Sequence, residues 1–210
     1  MKNNFKTVCI LFFGLFILVG CTPSPTPAMD EYRLSVALPI KNTDTTKCAK
    51  KLLKVEQAYG DKLFMSLKMH YVQGKYKQYA YAQSKWAQSP NEKITQSITE
   101  YLRAMHLFKS VQNAASKTKN DLRLEVNIED FMQYFDENEK NSYVNIAITC
   151  NLIDDATHKI VAVKTFKVHV KAKSDDAFGG VAALNEGLKI FLKECGLWLQ
   201  GVCLDKRKRV

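Results

Sequence analysis

Apolar residues fill every second position from Val144 to Leu152, through Ile146, Ile148 and Cys150. A period of two marks a strand with one face on a core. Leu122, Leu124, Val126 and Ile128 repeat the pattern, and Phe131 then falls on the wrong parity, which predicts a bulge or the end of the strand. Residues 136–141 form the loop between these two strands. Residues 154–158 make the next turn, ahead of a strand carrying Ile160 to Val163 and then Phe166, Val168 and Val170. Earlier in the chain, residues 65–73 and 76–83 flank Gly74-Lys75, a short glycine-containing turn that predicts a β-hairpin. Shorter strands are predicted at Tyr32, Leu34 and Val36, ended by Pro39, then at Lys51-Leu52-Leu53-Lys54-Val55 and at Phe108-Lys109-Ser110-Val111.

Two segments switch to the helical period. Ser89-Pro90-Asn91-Glu92 combines a capping serine, proline at the first helical position and an early acid. Ile94, Ile98, Tyr101, Leu102, Met105 and Phe108 follow at helical spacing. The last helix begins near Ser174-Asp175-Asp176. Ala177, Val181, Leu184, Leu188, Phe191, Cys195 and Trp198 then alternate intervals of four and three, one face turned to a core. Gly179-Gly180 weakens its first turns and allows close packing. The order strands, helix, strands, helix predicts an α+β fold with some α/β character. Its economical form is a curved, mostly antiparallel sheet with two main helices packed on one face.

The N-terminus follows neither period. Lys2 and Lys6 precede an apolar run from Val8 to Val19, a basic region and apolar core of signal-peptide length. A spanning helix needs about 20 apolar residues, and this run stops at Gly20-Cys21. Leu18-Val19-Gly20-Cys21 resembles the lipobox of bacterial lipoproteins, which implies cleavage after Gly20 and diacylglycerol plus an acyl chain on the Cys21 sulfur and amine. Two or more chains anchor stably where one does not. Thr22-Pro23-Ser24-Pro25-Thr26-Pro27 favours an extended polyproline conformation. The predicted organisation is a signal peptide at 1–20, a lipidated stalk at 21–30, one α+β domain at 31–204 and a basic tail at 205–210. A domain of that length buries about 70% of its unfolded surface.

Charge and cysteine content refine this picture. The formal charge is +10, and loss of Lys2 and Lys6 with the signal lowers it by two. Lysines are spread along the chain apart from the tail Lys206-Arg207-Lys208-Arg209. An exported lipoprotein meets no nucleic acid, so the tail suits anionic headgroups, an acidic partner or solvent alone. Of six cysteines, Cys48, Cys150, Cys195 and Cys203 remain after cleavage and lipidation. Four thiols permit two disulfides in three connectivities. Cys195–Cys203, the pair closest in sequence, is the candidate clip on the last helix, and Cys150 suits a small buried hydrophobe.

Catalytic and metal-binding patterns do not emerge. His70, His106, His158 and His169 have no converging spacing, and His70 and His169 are expected to face solvent. The acidic stretch at 136–139 lacks the glycine and spacing of a calcium loop. No GxSxG, P-loop or dinucleotide fingerprint occurs, so neither an enzyme, a metal site nor a cofactor is predicted. Aromatic density stands out instead. Tyr71, Tyr76, Tyr79, Tyr81 and Trp86 fall within sixteen residues, either a core edge or a surface for a protein or lipid partner.

The order of motifs resembles the ABC-type transport auxiliary lipoproteins. Ser84-Lys85-Trp86-Ala87 with Pro90 matches a step before that family's first helix, with lysine where arginine is usual. Leu124-Glu125-Val126-Asn127-Ile128 matches its next strand, with Phe131 one residue late. The resemblance implies a non-catalytic accessory lipoprotein of an Mce-type system that moves phospholipids or other hydrophobic compounds across the cell envelope. It implies an Mce-domain protein as partner and, through it, a permease and an ATPase, with self-association a further expectation. Thr22 in place of aspartate implies the periplasmic face of the outer membrane rather than the inner one. The alternative is a structural or regulatory envelope lipoprotein that aids outer-membrane assembly or activates a cell-wall enzyme.

Overall fold

The computed structural model describes residues 28–37 and 47–204. Cys21, the signal segment, most of the stalk and the basic tail lie outside the described residues. The elements run β1 (Asp30–Tyr32), β2 (Leu52–Val55), β3 (Tyr59–Gly60), a short 3-10 turn (Lys62–Met65), β4 (Lys68–Gln73) and β5 (Lys77–Trp86). There follow α1 (Pro90–Ala104), β6 (Ser110–Gln112), β7 (Leu122–Phe135), β8 (Ser142–Asp154), β9 (Lys159–Lys171) and α2 (Ala177–Leu204).

The two cleanest alternations pair with each other. β7 and β8 are antiparallel along their whole length, from Leu122 opposite Asp154 to Phe135 opposite Ser142, and β9 continues the sheet antiparallel to β8. At about 3.3 Å per residue β7 spans about 45 Å, too long for any one of the short strands to cover. Its other edge is therefore shared. β2 pairs at Leu122 to Leu124, β3 at Asn127 and Ile128, and β4 at Gln133 to Phe135, all parallel. β6 lies parallel beyond β2, while β5 lies antiparallel beyond β4 and carries β1 parallel to it. The sheet is mixed, with the long ladders antiparallel and the short ones parallel.

The broken parity at Phe131 is a bulge and not an end. Register shifts between Ile128 and Asp130, after which the buried positions move to Phe131, Gln133 and Phe135. One extra residue in β7 keeps the same face on the core across the kink.

Both helices cover that face. α2 packs its apolar stripe on β7, β8 and β9, with Phe191 edge-on to Phe166 at 5.3 Å between centroids. α1 buries Ile94, Ile98 and Leu102 beside β2, β6 and β7. The helices meet where Gly196 lets α2 approach α1: a β-carbon there would lie 2.5 Å from the Met105 sulfur. α1 ends at Ala104, before the Met105 and Phe108 that extend its periodicity, because His106 takes a left-handed conformation at φ 52°. Met105 and Phe108 are buried all the same.

The disulfide corrects a sequence expectation. Cys203 bonds to Cys48, with their α-carbons 5.4 Å apart, and Cys150 and Cys195 are free and buried. Cys195 and Cys203 both lie inside α2, eight residues or about 12 Å apart along its axis. That separation exceeds the 7 Å limit for a disulfide. Cys48 instead ties the start of the domain to its last helical turn.

Candidate functional site: the aromatic end of the sheet

Phe135, Gln133 and the β4–β5 hairpin bring the aromatic residues to one end of the sheet. Gly74 sits at φ 59°, which permits the tight turn, and its N–H donates to the Phe135 carbonyl at 3.0 Å. Tyr71 is directly opposite Tyr79 in the hairpin and beside Gln133 in β7. Its ring lies 4.6 Å from Tyr81, 5.3 Å from Phe135 and 5.6 Å from Tyr79. These tilted and edge-on contacts suit the ring quadrupoles.

The five aromatic residues singled out in the sequence do not form one surface. Trp86 is a core residue, 5% exposed among α1 and the sheet. It occupies the last position of β5, buried in the core cluster, and so offers no area to a partner. Tyr81 points inward and Tyr71 is half-buried between its neighbours. Tyr76 at 84% and Tyr79 at 42% exposure present ring surface to solvent. The Lys75 ammonium stands 5.1 Å over the Tyr76 ring. The free surface is thus the hairpin tip, supported from behind by Tyr71 and Tyr81.

Gln133 holds that support in place. Its Oε1 accepts from the Tyr81 hydroxyl at 2.8 Å. Its Nε2 donates to Ser142 Oγ at 3.0 Å and to the Asp176 carbonyl at 3.2 Å. A buried amide requires such partners. Burial, and after it the neighbouring Tyr71, push the Tyr81 phenol well above its ordinary range, so it remains a donor. Gly180 makes room for the network: a β-carbon there would stand 1.8 Å from Gln133 Oε1. The gap left between Met69, Tyr81, Gln133 and Leu184 has a volume of about 10 Å³, space for a water and nothing larger. Gln133 was not singled out from the sequence, although the pattern Phe131-x-Gln133-x-Phe135 carries the signal: one polar residue on an otherwise apolar face.

The start of α2 is fixed by Asp176. Its Oδ1 accepts from the Gly179 N–H at 2.7 Å and from Ser174 Oγ at 2.8 Å. The backbone bond first, then the serine, lower its carboxyl from the usual range. The β7–β8 loop leans against the hairpin tip, where a β-carbon on Gly74 would sit 3.1 Å from Glu137 Cγ. In that loop Asp136 accepts from the Asn141 side chain and the Lys140 N–H. These bonds hold it below the ordinary carboxylate range and therefore ionised.

Among the described residues, the opposite side of the sheet carries no helix. There Tyr134 stacks on Tyr143 at 5.5 Å, and Tyr143 contacts His169 at 4.4 Å. His169 is exposed, as expected, and shares a 3.0 Å hydrogen bond with Asn145, whereas His70 is half-buried. Tyr134 donates to Asp130 at 2.7 Å, yet burial outweighs that bond and raises the Asp130 carboxyl. At the far end of the molecule an open groove of about 580 Å³ is lined by Cys48, Leu122, Leu152, Val161 and Val202, with Lys51 and Asp154. Among the described residues no His, Cys, Asp and Glu side chains cluster as metal ligands, and no helix is long and apolar enough to cross a membrane.

Comparison with solved structures shows the same fold in two proteins of low identity. Protein XCC0632 from Xanthomonas campestris superposes with a TM-score of 0.72 at 16% identity, over 82% of this chain and 96% of that one. A second, uncharacterized protein gives a TM-score of 0.63 at 14% identity, over 82% of this chain and 99% of that one. No curated protein matches the chain by sequence. A family model described as the ABC-type transport auxiliary lipoprotein component matches residues 32–194, which spans the strands from the end of β1 to β9 and most of α2. The chain belongs to the ABC-type transport auxiliary lipoprotein component family.

Proposed function

We propose that the protein is a membrane-tethered, non-catalytic accessory subunit of an Mce-associated ABC transport system that moves phospholipids or other hydrophobic compounds across the cell envelope. The observation that carries the reading is the family match over residues 32–194, behind a lipobox that ends at Cys21. Residues 1–20 direct export and are removed. Cys21 then carries the lipid, and the proline-rich stalk tethers the domain at the periplasmic face of the outer membrane. The domain acts by binding an Mce-domain protein and, through it, the permease and ATPase.

Tagging the C-terminus, crosslinking intact cells and purifying the protein from solubilised membranes tests the reading. Recovery of an Mce-domain protein together with a permease supports it. Efficient recovery of the tagged lipoprotein without either overturns the assignment to such a system.

A further inference from the structure

We propose that the tip of the β4–β5 hairpin rests in the headgroup layer of the membrane that holds the anchor, with Tyr76 and Tyr79 as its interfacial contacts. The inference rests on the reading of Cys21 as the lipidated residue. It adds an orientation and a lipid-binding surface that the anchor alone does not specify.

Direction comes from the register of β1. Asp30 lies opposite Ser84 and Tyr32 opposite Trp86, with the strands parallel. Moving back along the chain from Asp30 therefore leads in the direction of the hairpin tip. Cys21 precedes Asp30 by nine residues, and Lys75 precedes Ser84 by nine. An extended proline-rich segment advances about 3.1 Å per residue and a strand about 3.3 Å. Fully extended, nine residues reach about 30 Å, so the anchor lies no farther from Asp30 than about the distance from Ser84 to the hairpin tip.

The chemistry of the tip suits that position. A tyrosine offers a ring to the acyl boundary and a hydroxyl to the headgroups, the reason this residue gathers at membrane interfaces. Tyr76 is the most exposed aromatic residue among those described, at 84%. Formal charge of the tip and its adjoining loop sums to zero, with Lys75, Lys77 and Lys140 against Asp136, Glu137 and Glu139. Contact accordingly depends on the rings and not on anionic lipid, and it takes place on a zwitterionic surface. α2 runs away from this end for about 42 Å, which leaves its Cys203 turn facing outward.

The test uses full-length protein purified with its lipid and reconstituted into phosphatidylethanolamine–phosphatidylcholine vesicles. These carry phosphatidylcholine with a nitroxide near the headgroup. Tyr76→Trp reports on the tip, and Ile160→Trp, at an exposed position near the other end of the sheet, is the control. Both are read above the parent's Trp86 and Trp198. The tip tryptophan is expected to lose most of its emission and shift to the blue, equally in low and high salt, while the control changes little. Unquenched emission from Tyr76→Trp, equal quenching at both positions, or quenching abolished by salt would overturn the inference. Mass spectrometry of the N-terminal peptide separates the two readings. A lipidated Cys21 with an unquenched tip defeats the orientation alone, and an unmodified Cys21 defeats the anchor and the orientation together.

Discussion

The two ends of this molecule are held by different means. At one end Cys48 is bonded to Cys203, so the start of the domain and the last turn of α2 are joined across 155 residues of sequence. At the other, the hairpin, the β7–β8 loop and the start of α2 meet through Gln133, Asp176 and tilted tyrosine contacts, with no covalent link among the described residues. The covalent end can tolerate an open groove beside it. The aromatic end must fill its space and satisfy its polar atoms to hold the same shape, and Tyr76 and Tyr79 are displayed on that platform. Rigidity at the covalent end comes from chain topology, and at the aromatic end from packing and hydrogen bonds.

Removing the disulfide should give the largest effect. A cross-link closing a loop of this length disfavours the unfolded chain by several kcal/mol in the chain-entropy account. Cys203→Ser is expected to lower unfolding stability by about 4 kcal/mol in urea melts. Strong reductant should lower the parent to the same midpoint and leave the variant unmoved. An unchanged midpoint in both would show that the bond contributes nothing. Cys150 is expected to resist thiol reagents in the folded protein, since a hydrogen bond to Cys195 first, and burial second, raise its thiol well above its ordinary range, and burial alone shields Cys195.

The aromatic end breaks in smaller steps. Gln133→Leu leaves the Tyr81 hydroxyl without its acceptor and should cost about 1–3 kcal/mol. Gly180→Ala displaces the same amide and should cost a similar amount. Because both act on one network, the double variant is expected to lose clearly less than the sum. Full additivity in thermal or urea melts would mean that the two positions stabilise the fold independently.

The smallest effect belongs to the helix cap. Asp176→Ala should cost about 1 kcal/mol at neutral pH. The folded carboxyl lies below its unfolded value, so its contribution is complete above the ordinary aspartate range, near pH 4. It is lost as pH falls through the lowered folded value. The gap between parent and variant should therefore be constant from neutral pH down to about pH 5 and then close. A gap that stays open in acid would assign the cost to packing.

Local periodicity made much of this structure legible. The alternation at Val144 to Leu152 became β8, and the four-and-three intervals from Ala177 to Trp198 became α2. Gly74-Lys75 between alternating segments became a hairpin turn, because glycine at positive φ is a local requirement. The same patterns could not separate Trp86 from Tyr76. Both are aromatic and both lie in or beside the hairpin, and only the assembled core buries one and leaves the other at the tip. Cys48 belongs to no periodic segment, so nothing local tied it to a cysteine 155 residues away.

The sequence by itself determined the longer strands and the two helices and the face each buries, since each depends on residues within a few positions. The tertiary structure alone decided which cysteines bond, how β7 divides one edge among β2, β3 and β4, and where Gln133 joins β5 to α2. Those outcomes depend on contacts between segments far apart in the chain. Their distances are set only once the sheet has formed and the helices have closed over it.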